Sequence, residues 1–249
     1  MPSKTDTNLN PADTSRFATT HWSVVSEAGS PESSRYQEAL ETLCQTYWFP
    51  LYAYLRKWGC DPHRAEDCTQ SFFTRLLEKK GLAKANQSRG RFRSFLLTSL
   101  KNFLSDEWDQ SKAEKRGGGK NVLSLDVASA ETHYTLEPLD SLSPERLFER
   151  SWALTVLKQS MERLKTECTV AEKKELFDCL KGYLAGDRNT IPIKRTAAKL
   201  NMTEGAVKTA IHRLRGRYRE LVRAEIAQTV TTNAQLDEEI RYLFKALAD

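Results

Sequence analysis

Long apolar runs, paired cysteines and phosphate-binding glycine loops are scarce in this 249-residue chain, and each shortage removes a class of function. No segment approaches the roughly 20 apolar residues needed to cross a bilayer. The opening MPSKTDTNLNPADTSRF also lacks the hydrophobic stretch of a secretion signal. A cytoplasmic location without a membrane partner is therefore expected. The five cysteines (44, 60, 68, 168 and 179) are odd in number and sparse, which suits reduced thiols better than a disulfide framework. His21, His133 and His212 stand apart from any nucleophile or carboxylate pair. Cys60, His63 and Cys68 offer three metal ligands where zinc wants four, and only Cys44 lies near enough in sequence to complete the set, so helix packing is the preferred role for these thiols. Gly117, Gly118 and Gly119 have neither the following Lys-Ser/Thr nor the preceding strand of a phosphate loop. No catalytic residue, metal or cofactor is expected, and the chain does not read as an enzyme.

Alternating strand patterns are nearly absent too, because apolar residues recur every three or four positions almost throughout. The expected fold is all-α, with two small helical domains joined by a flexible linker and followed by a helical tail. Residues 1–18 are polar and read as a disordered tail. A first domain over 19–115 opens with Thr20-His21-Trp22-Ser23-Val24-Val25, a short segment suited to docking. A long helix follows from about Tyr36 to Trp58, with Leu40, Leu43, Tyr47, Leu51, Tyr54 and Leu55 on one side, a bend expected at Pro50 and an end at Gly59. Asp61-Pro62 restarts a helix that runs to about Lys80, and a loop over 81–90 leads to a third apolar stripe through Phe92, Leu96, Leu100 and Leu104. Residues 116–142 open on Gly117-Gly118-Gly119, lose all periodicity and read as the linker. Ser143-Pro144-Glu145 supplies a cap, a first-turn proline and a first-turn acid, so a second domain is expected over 143–223, leaving 224–249 as an acidic helical extension.

The stretch Ile193 to Leu221, IKRTAAKLNMTEGAVKTAIHRLRGRYREL, carries the clearest functional signal. It reads as two helices around the short polar turn Asn201-Met202-Thr203, with Thr203 as the cap of the second. Val207, Ala210, Ile211, Leu214, Tyr218 and Leu221 form one inward stripe, which turns Lys208, Thr209, His212, Arg213 and Arg219 outward. Between Lys194 and Arg223 nine Lys/Arg face two acids, so this segment is more positive than the whole chain's +5. That is the pattern of a helix-turn-helix reading duplex DNA in the major groove.

The first domain has an acidic face, with Glu66, Asp67, Gln70 and Thr74 on its second helix, and a basic one between Arg89 and Lys120, where eight Lys/Arg face four acids. Aromatic groups lie among those cations, a combination suited to single-stranded nucleic acid, where rings stack on bases and cations follow phosphates. Phe92, Phe95 and Phe103 are better explained as core; Trp108 is open to either role.

With these segments in view, the chain resembles the sigma factors of bacterial RNA polymerase, in particular the extracytoplasmic-function (ECF) type of the sigma-70 family. AEDCTQSFFTRLL at 65–77 is similar to the family's polymerase-clamp-binding helix, GRFRSFLLTSLKNFLSDEWDQSKAEKR at 90–116 to the segment that opens and reads the minus-ten element, and 194–221 to the module reading the minus-thirty-five element. TTHWSVV, the SLD after the glycines and SPERLFERSWAL suggest a planctomycete-type variant group. The loop before Arg91 is longer than the family's, and Glu107-Trp108-Asp109 stands where the family is more basic.

The resemblance implies a region 2-like domain and a region 4-like domain in the family's order, with specific partners for each face. Glu66, Asp67, Gln70, Phe73 and Thr74 would bind the clamp coiled coil of core RNA polymerase. Asn86, Arg89, Arg91, Arg93, Lys101, Asn102 and Trp108 would contact the minus-ten promoter DNA, with the loop 81–91 capturing a flipped base. Thr203, Glu204, Lys208, Thr209, His212 and Arg213 would read the minus-thirty-five DNA. An anti-sigma or other regulatory protein is a further partner of this kind of protein, and the acidic tail a place for regulation or docking. The competing reading is a stand-alone helix-turn-helix regulator with a sensing or dimerising N-terminal domain, which leaves the two charged faces of that domain without a purpose.

Overall fold

A computed structural model describes residues 23–78, 82, 85, 91–113, 131, 132, 134, 142–184, 192–230 and 232–248. Among them all regular structure is helical, as expected. The polar tail 1–18, Thr20 to Trp22, most of the loop 81–90 with Asn86 and Arg89, and most of 116–142 lie outside the described residues, as does the side chain of Trp108.

The first module is built around α2 (Tyr36–Lys57). Its expected stripe, Leu43, Tyr47, Leu51, Tyr54 and Leu55, is buried, but so are Thr46, Trp48, Tyr52 and Ala53 outside it. The helix is enclosed because α5 (Pro144–Val170) covers the face that a three-helix domain would leave to solvent. Trp48 stacks on Tyr52 with ring centroids 5.2 Å apart, and the Thr46 hydroxyl donates to Thr42 O at 2.8 Å while lying 3.3 Å from Gln159 Oε1 of α5. Pro50 sits inside α2 and is buried; its missing N–H removes one rung of the ladder, and the surrounding packing offsets that loss. Gly59, at φ +108°, ends the helix in a conformation few other residues adopt.

Around this rod pack α1 (Ser23–Ala28), α3 (Pro62–Glu78) and α4 (Phe92–Ala113). Val25 and Ala28 seat α1 on α2, which makes the short docking helix expected from the opening apolar residues. Asp61 Oδ1 accepts from the Arg64 amide at 2.9 Å and caps α3. Phe72, Phe73 and Leu76 of α3 meet Phe92, Leu96, Leu100 and Phe103 of α4 in the core. Phe103 stands edge-on to Phe72 at 5.8 Å. Each such large apolar side chain contributes about 1.5–3 kcal/mol by leaving water.

The linker expectation differs from the structure at one point. Residues 131, 132 and 134 are helical, and Glu131 is tied to α2. Its carboxylate accepts from Arg56 Nη2 at 2.7 Å, from Arg56 Nε at 3.0 Å and from the Tyr52 hydroxyl at 2.6 Å. Tyr134 lies under the same guanidinium. A carboxylate with three donors docks a segment whose apolar content alone gives no such hint.

The Ser143 hydroxyl caps α5 through the Arg146 amide at 3.2 Å, with Pro144 in the first turn, as the sequence indicates. The N-terminal half of this 27-residue helix enters the main core through Phe148, Trp152 and Val156. Its C-terminal half joins a smaller cluster in which Leu164 and Cys168 meet Phe177 of α6 (Lys174–Leu184) and Leu221 of α8 (Glu204–Ala227). A third cluster, Leu180, Tyr183, Ala197, Val207 and Ile211, holds α6, α7 (Ile193–Lys199) and α8 together. The end of α8 and the tail helix α9 (Asn233–Ala248) return to the main core through Val222, Ile226, Val230, Leu236 and Leu243.

Candidate nucleic-acid interface

The turn between α7 and α8 is fixed by its own backbone. Met202 N donates to Ala197 O at 2.9 Å, Asn201 takes a left-handed φ of 51° that asparagine tolerates, and the Thr203 hydroxyl accepts from Ala206 N at 3.2 Å. Beneath the turn the Tyr183 and Thr196 hydroxyls meet at 2.8 Å in a buried hydrogen bond. Arg215 donates to Tyr183 O at 2.7 and 3.2 Å, satisfying a carbonyl in the last turn of α6. This scaffold presents Glu204, Lys208, Thr209, His212 and Arg213 on one exposed side of α8, next to the exposed Thr203. Thr203 is occupied by capping, and the Thr209 hydroxyl donates to Gly205 O at 3.0 Å. Lys208 and Arg213 have no carboxylate within 4.0 Å among the described residues, whereas Arg217 and Arg223 are ion-paired with Glu167 and Asp237. The +7 of the segment therefore resolves into cations that hold the fold and cations that face solvent.

On α3, Asp67 is exposed, and Glu66 and Thr74 are half-buried. Gln70 is buried and donates to Glu66 Oε1 at 3.2 Å, while Thr74 donates to Gln70 O at 3.0 Å. Phe73 is only 3% exposed and belongs to the core. The polar members of the set thus line one strip of helix, with Phe73 directed inward beneath it.

The basic side of α4 is organised differently. Asn102 is exposed, but the three described cations of the set are all paired with carboxylates from later in the chain. Lys101 Nζ is 2.8 Å from Glu145 Oε1, beside a cleft of about 660 Å³ lined by Tyr54, Trp58 and Leu104. Arg91 Nε lies 3.1 Å from Glu239 Oε2 and its Nη2 lies 3.7 Å from Glu238. Arg93, 2% exposed, donates to Glu149 at 2.5 Å and to Glu239. Its guanidinium lies between the rings of Trp152 and Tyr242, at 4.6 and 4.2 Å from their centroids. Burial raises the pKa of both Glu149 and Glu239, against the pull of Arg93. Glu239 Oε2 faces Arg91 without the alignment of a hydrogen bond.

Sequence reasoning missed Glu145, Glu149, Glu238 and Glu239 as partners of these cations. One signal was present: Glu239 falls on the apolar stripe of α9, between Leu236 and Leu243, where a carboxylate must find a buried cation. Asp106, within the segment 90–116, pairs with Arg75 of α3, which also lies over the Phe103 ring. Cys60 is buried and Cys68 half-buried, and burial pushes both thiols up, Cys68 to about 11. Among the described residues no three metal-ligating side chains converge, and no helix is long and apolar enough to cross a membrane.

An all-α protein with a charged α3/α4 face and an exposed basic helix at the far end of the chain is the class that the fold defines. Residues 43–114, the span from α2 to the end of α4, match the family model of Sigma-70 region 2. The match covers under a third of the chain and supports a sigma factor of the sigma-70 family, with a role in RNA polymerase-dependent transcription initiation. No curated protein and no solved structure matches the chain.

Proposed function

We propose that the chain is an ECF-type sigma factor, of the planctomycete-type variant group, that binds core RNA polymerase in the cytoplasm and directs promoter recognition and melting. The observation that carries this reading is that the region 2 match falls on α3 and α4, the helices whose residues were singled out for polymerase and minus-ten contacts. Residues 19–115 act as the region 2-like domain and 143–223 as the region 4-like domain, with 116–142 between them. Asp67, with Glu66, Gln70 and Thr74, meets the polymerase clamp, and Phe73 supports that strip from beneath. Arg91, Arg93, Lys101 and Asn102, together with Asn86, Arg89 and Trp108, serve the minus-ten element. Lys208, Thr209, His212 and Arg213 of the helix-turn-helix, flanked by Thr203 and Glu204, serve the minus-thirty-five element. An anti-sigma or other regulatory protein is the further partner of this assembly.

Chemistry at a catalytic residue is not needed for such a role. Strand opening follows from tighter binding to the unpaired strand than to the duplex, so the population of open promoter rises with that difference in affinity. Size-exclusion chromatography of the purified chain with core polymerase tests the reading. Co-elution that Asp67→Arg abolishes is the expected result; separate elution of the wild-type chain overturns it.

A further inference from the structure

We propose that the tail helix α9 is a releasable clasp, whose Glu238 and Glu239 occupy in cis the guanidinium groups of Arg91 and Arg93 that a single-stranded nucleic acid would otherwise take. The inference rests on the assignment of Arg91 and Arg93 to the minus-ten strand. Four observations support it. The acids of α9 lie against the basic start of α4, so a carboxylate stands in front of each arginine where a phosphate would lie. Tyr242 of the same helix covers both guanidinium groups, at 5.2 Å from Arg91 and 4.2 Å from Arg93, as a stacked base would. Lys101, the third described cation of the set, is held by Glu145, so all three are engaged by the C-terminal half of the chain. Lastly, the fit is incomplete: three carboxylates from α5 and α9 surround two guanidinium groups, and Glu239 Oε2 is buried without a hydrogen bond.

The clasp is attached by contacts that can be exchanged. Asp237 pairs with Arg223 of α8 at 3.0 Å across an exposed surface, and Arg150 of α5 donates to Leu247 O at 2.9 Å. Leu236 and Leu243 are the apolar side chains of α9 that are buried in the core, with Ile240, Tyr242, Ala246 and Leu247 packed half-buried against it. Release would leave Arg93 paired with Glu149 through Nε, freeing the edge that now donates to Glu239, and would remove both ion pairs that Arg91 makes among the described residues. The closed chain thus binds nucleic acid weakly in proportion to how rarely the clasp opens.

The test uses the full chain and a fluorescent oligothymidine, read by anisotropy. Glu238→Gln combined with Glu239→Gln removes two negative charges at nearly constant shape. It should tighten binding about tenfold by raising the open fraction. Unchanged or weaker binding by a folded double variant overturns the clasp. Hydrogen exchange in the wild-type chain supplies a second reading that needs no substitution. Amides of 233–248 should lose protection at saturating oligothymidine, and unchanged protection there overturns the proposal. Arg91→Ala, placed in the double variant, separates the two claims. If it fails to weaken binding, the assignment of Arg91 to nucleic acid is wrong; if it weakens binding while the double variant binds no tighter than wild type, only the clasp is wrong.

Discussion

Arg93 and Glu239, 146 residues apart in sequence, form an ion pair in which both side chains are at most 3% exposed. It joins the first turn of α4 to the middle of the tail helix, and Glu149 of α5 completes it. Removing Arg93 takes from Glu149 the cation it is bonded to and leaves the buried Glu239 with Arg91 alone, which is a larger penalty than the net worth of the pair. Arg93→Ala should therefore lower the unfolding free energy by about 3–5 kcal/mol, while Arg93→Met combined with Glu149→Gln and Glu239→Leu, which removes both facing carboxylates as well, should cost much less. Urea denaturation of both variants checks this, and equal losses would show that the pair is not coupled.

Phe73 and Asp67 lie on the same helix and should fail in different ways. Phe73→Ala empties a core position, so a loss of about 3–5 kcal/mol in stability is expected. Asp67→Arg changes an exposed residue and should shift stability by no more than about 0.5 kcal/mol while it abolishes polymerase binding. Denaturation curves measured beside polymerase co-elution separate the two; weak polymerase binding by a fully stable Phe73→Ala chain would place the phenyl ring in the interface itself.

On α8, Lys208→Ala and Arg213→Ala should each weaken duplex binding. If each touches a phosphate, the slope of log affinity against log salt flattens by about one unit per residue. Arg217→Ala should behave otherwise, since its guanidinium is held by Glu167 at two distances of 2.8 Å and by Glu220. Titrations at several salt concentrations read the difference, and an unchanged slope for both Lys208 and Arg213 argues against phosphate contacts.

The docking of residues 131, 132 and 134 on α2 should depend on pH. Hydrogen bonding from Arg56, and after it from Tyr52, holds the Glu131 carboxyl below the ordinary glutamate value of 4.5. A depressed carboxyl adds stability that is fully present above its unfolded value and is lost as pH falls through the folded one. Docking should thus be intact at neutral pH and weaken only below about 4.5. Hydrogen exchange at 131, 132 and 134 across that range checks it. Glu131→Gln should remove the pH dependence, and a transition near neutrality in the wild type would contradict the assignment.

Much of the helical layout was legible because its signals are local. Ser143, Thr203 and Asp61 cap the helices that follow them, and Gly59 takes the positive φ at which α2 stops. The exposed row on α8 was legible for the same reason, since the buried Val207 and Ile211 fix the direction of Lys208 and His212 by a 100° step. Arg93 was not, because its position next to Phe92 does not reveal that Trp152, Tyr242, Glu149 and Glu239 converge on it from two distant helices. The enclosure of α2 was hidden likewise: Thr46 and Tyr52 suit a half-exposed face until α5 reaches the first and Glu131 the second. Glu131 was missed in a stretch without periodicity, since a single carboxylate with three donors leaves no repeating mark.

The central claim, that the chain directs polymerase to promoters, is tested most directly by transcription from a promoter library with purified core polymerase, followed by mapping of the transcript starts. The account predicts starts that appear only when the chain is added, aligned downstream of one shared pair of elements, and lost with Asp67→Arg. Starts that are unchanged by adding the chain would contradict it.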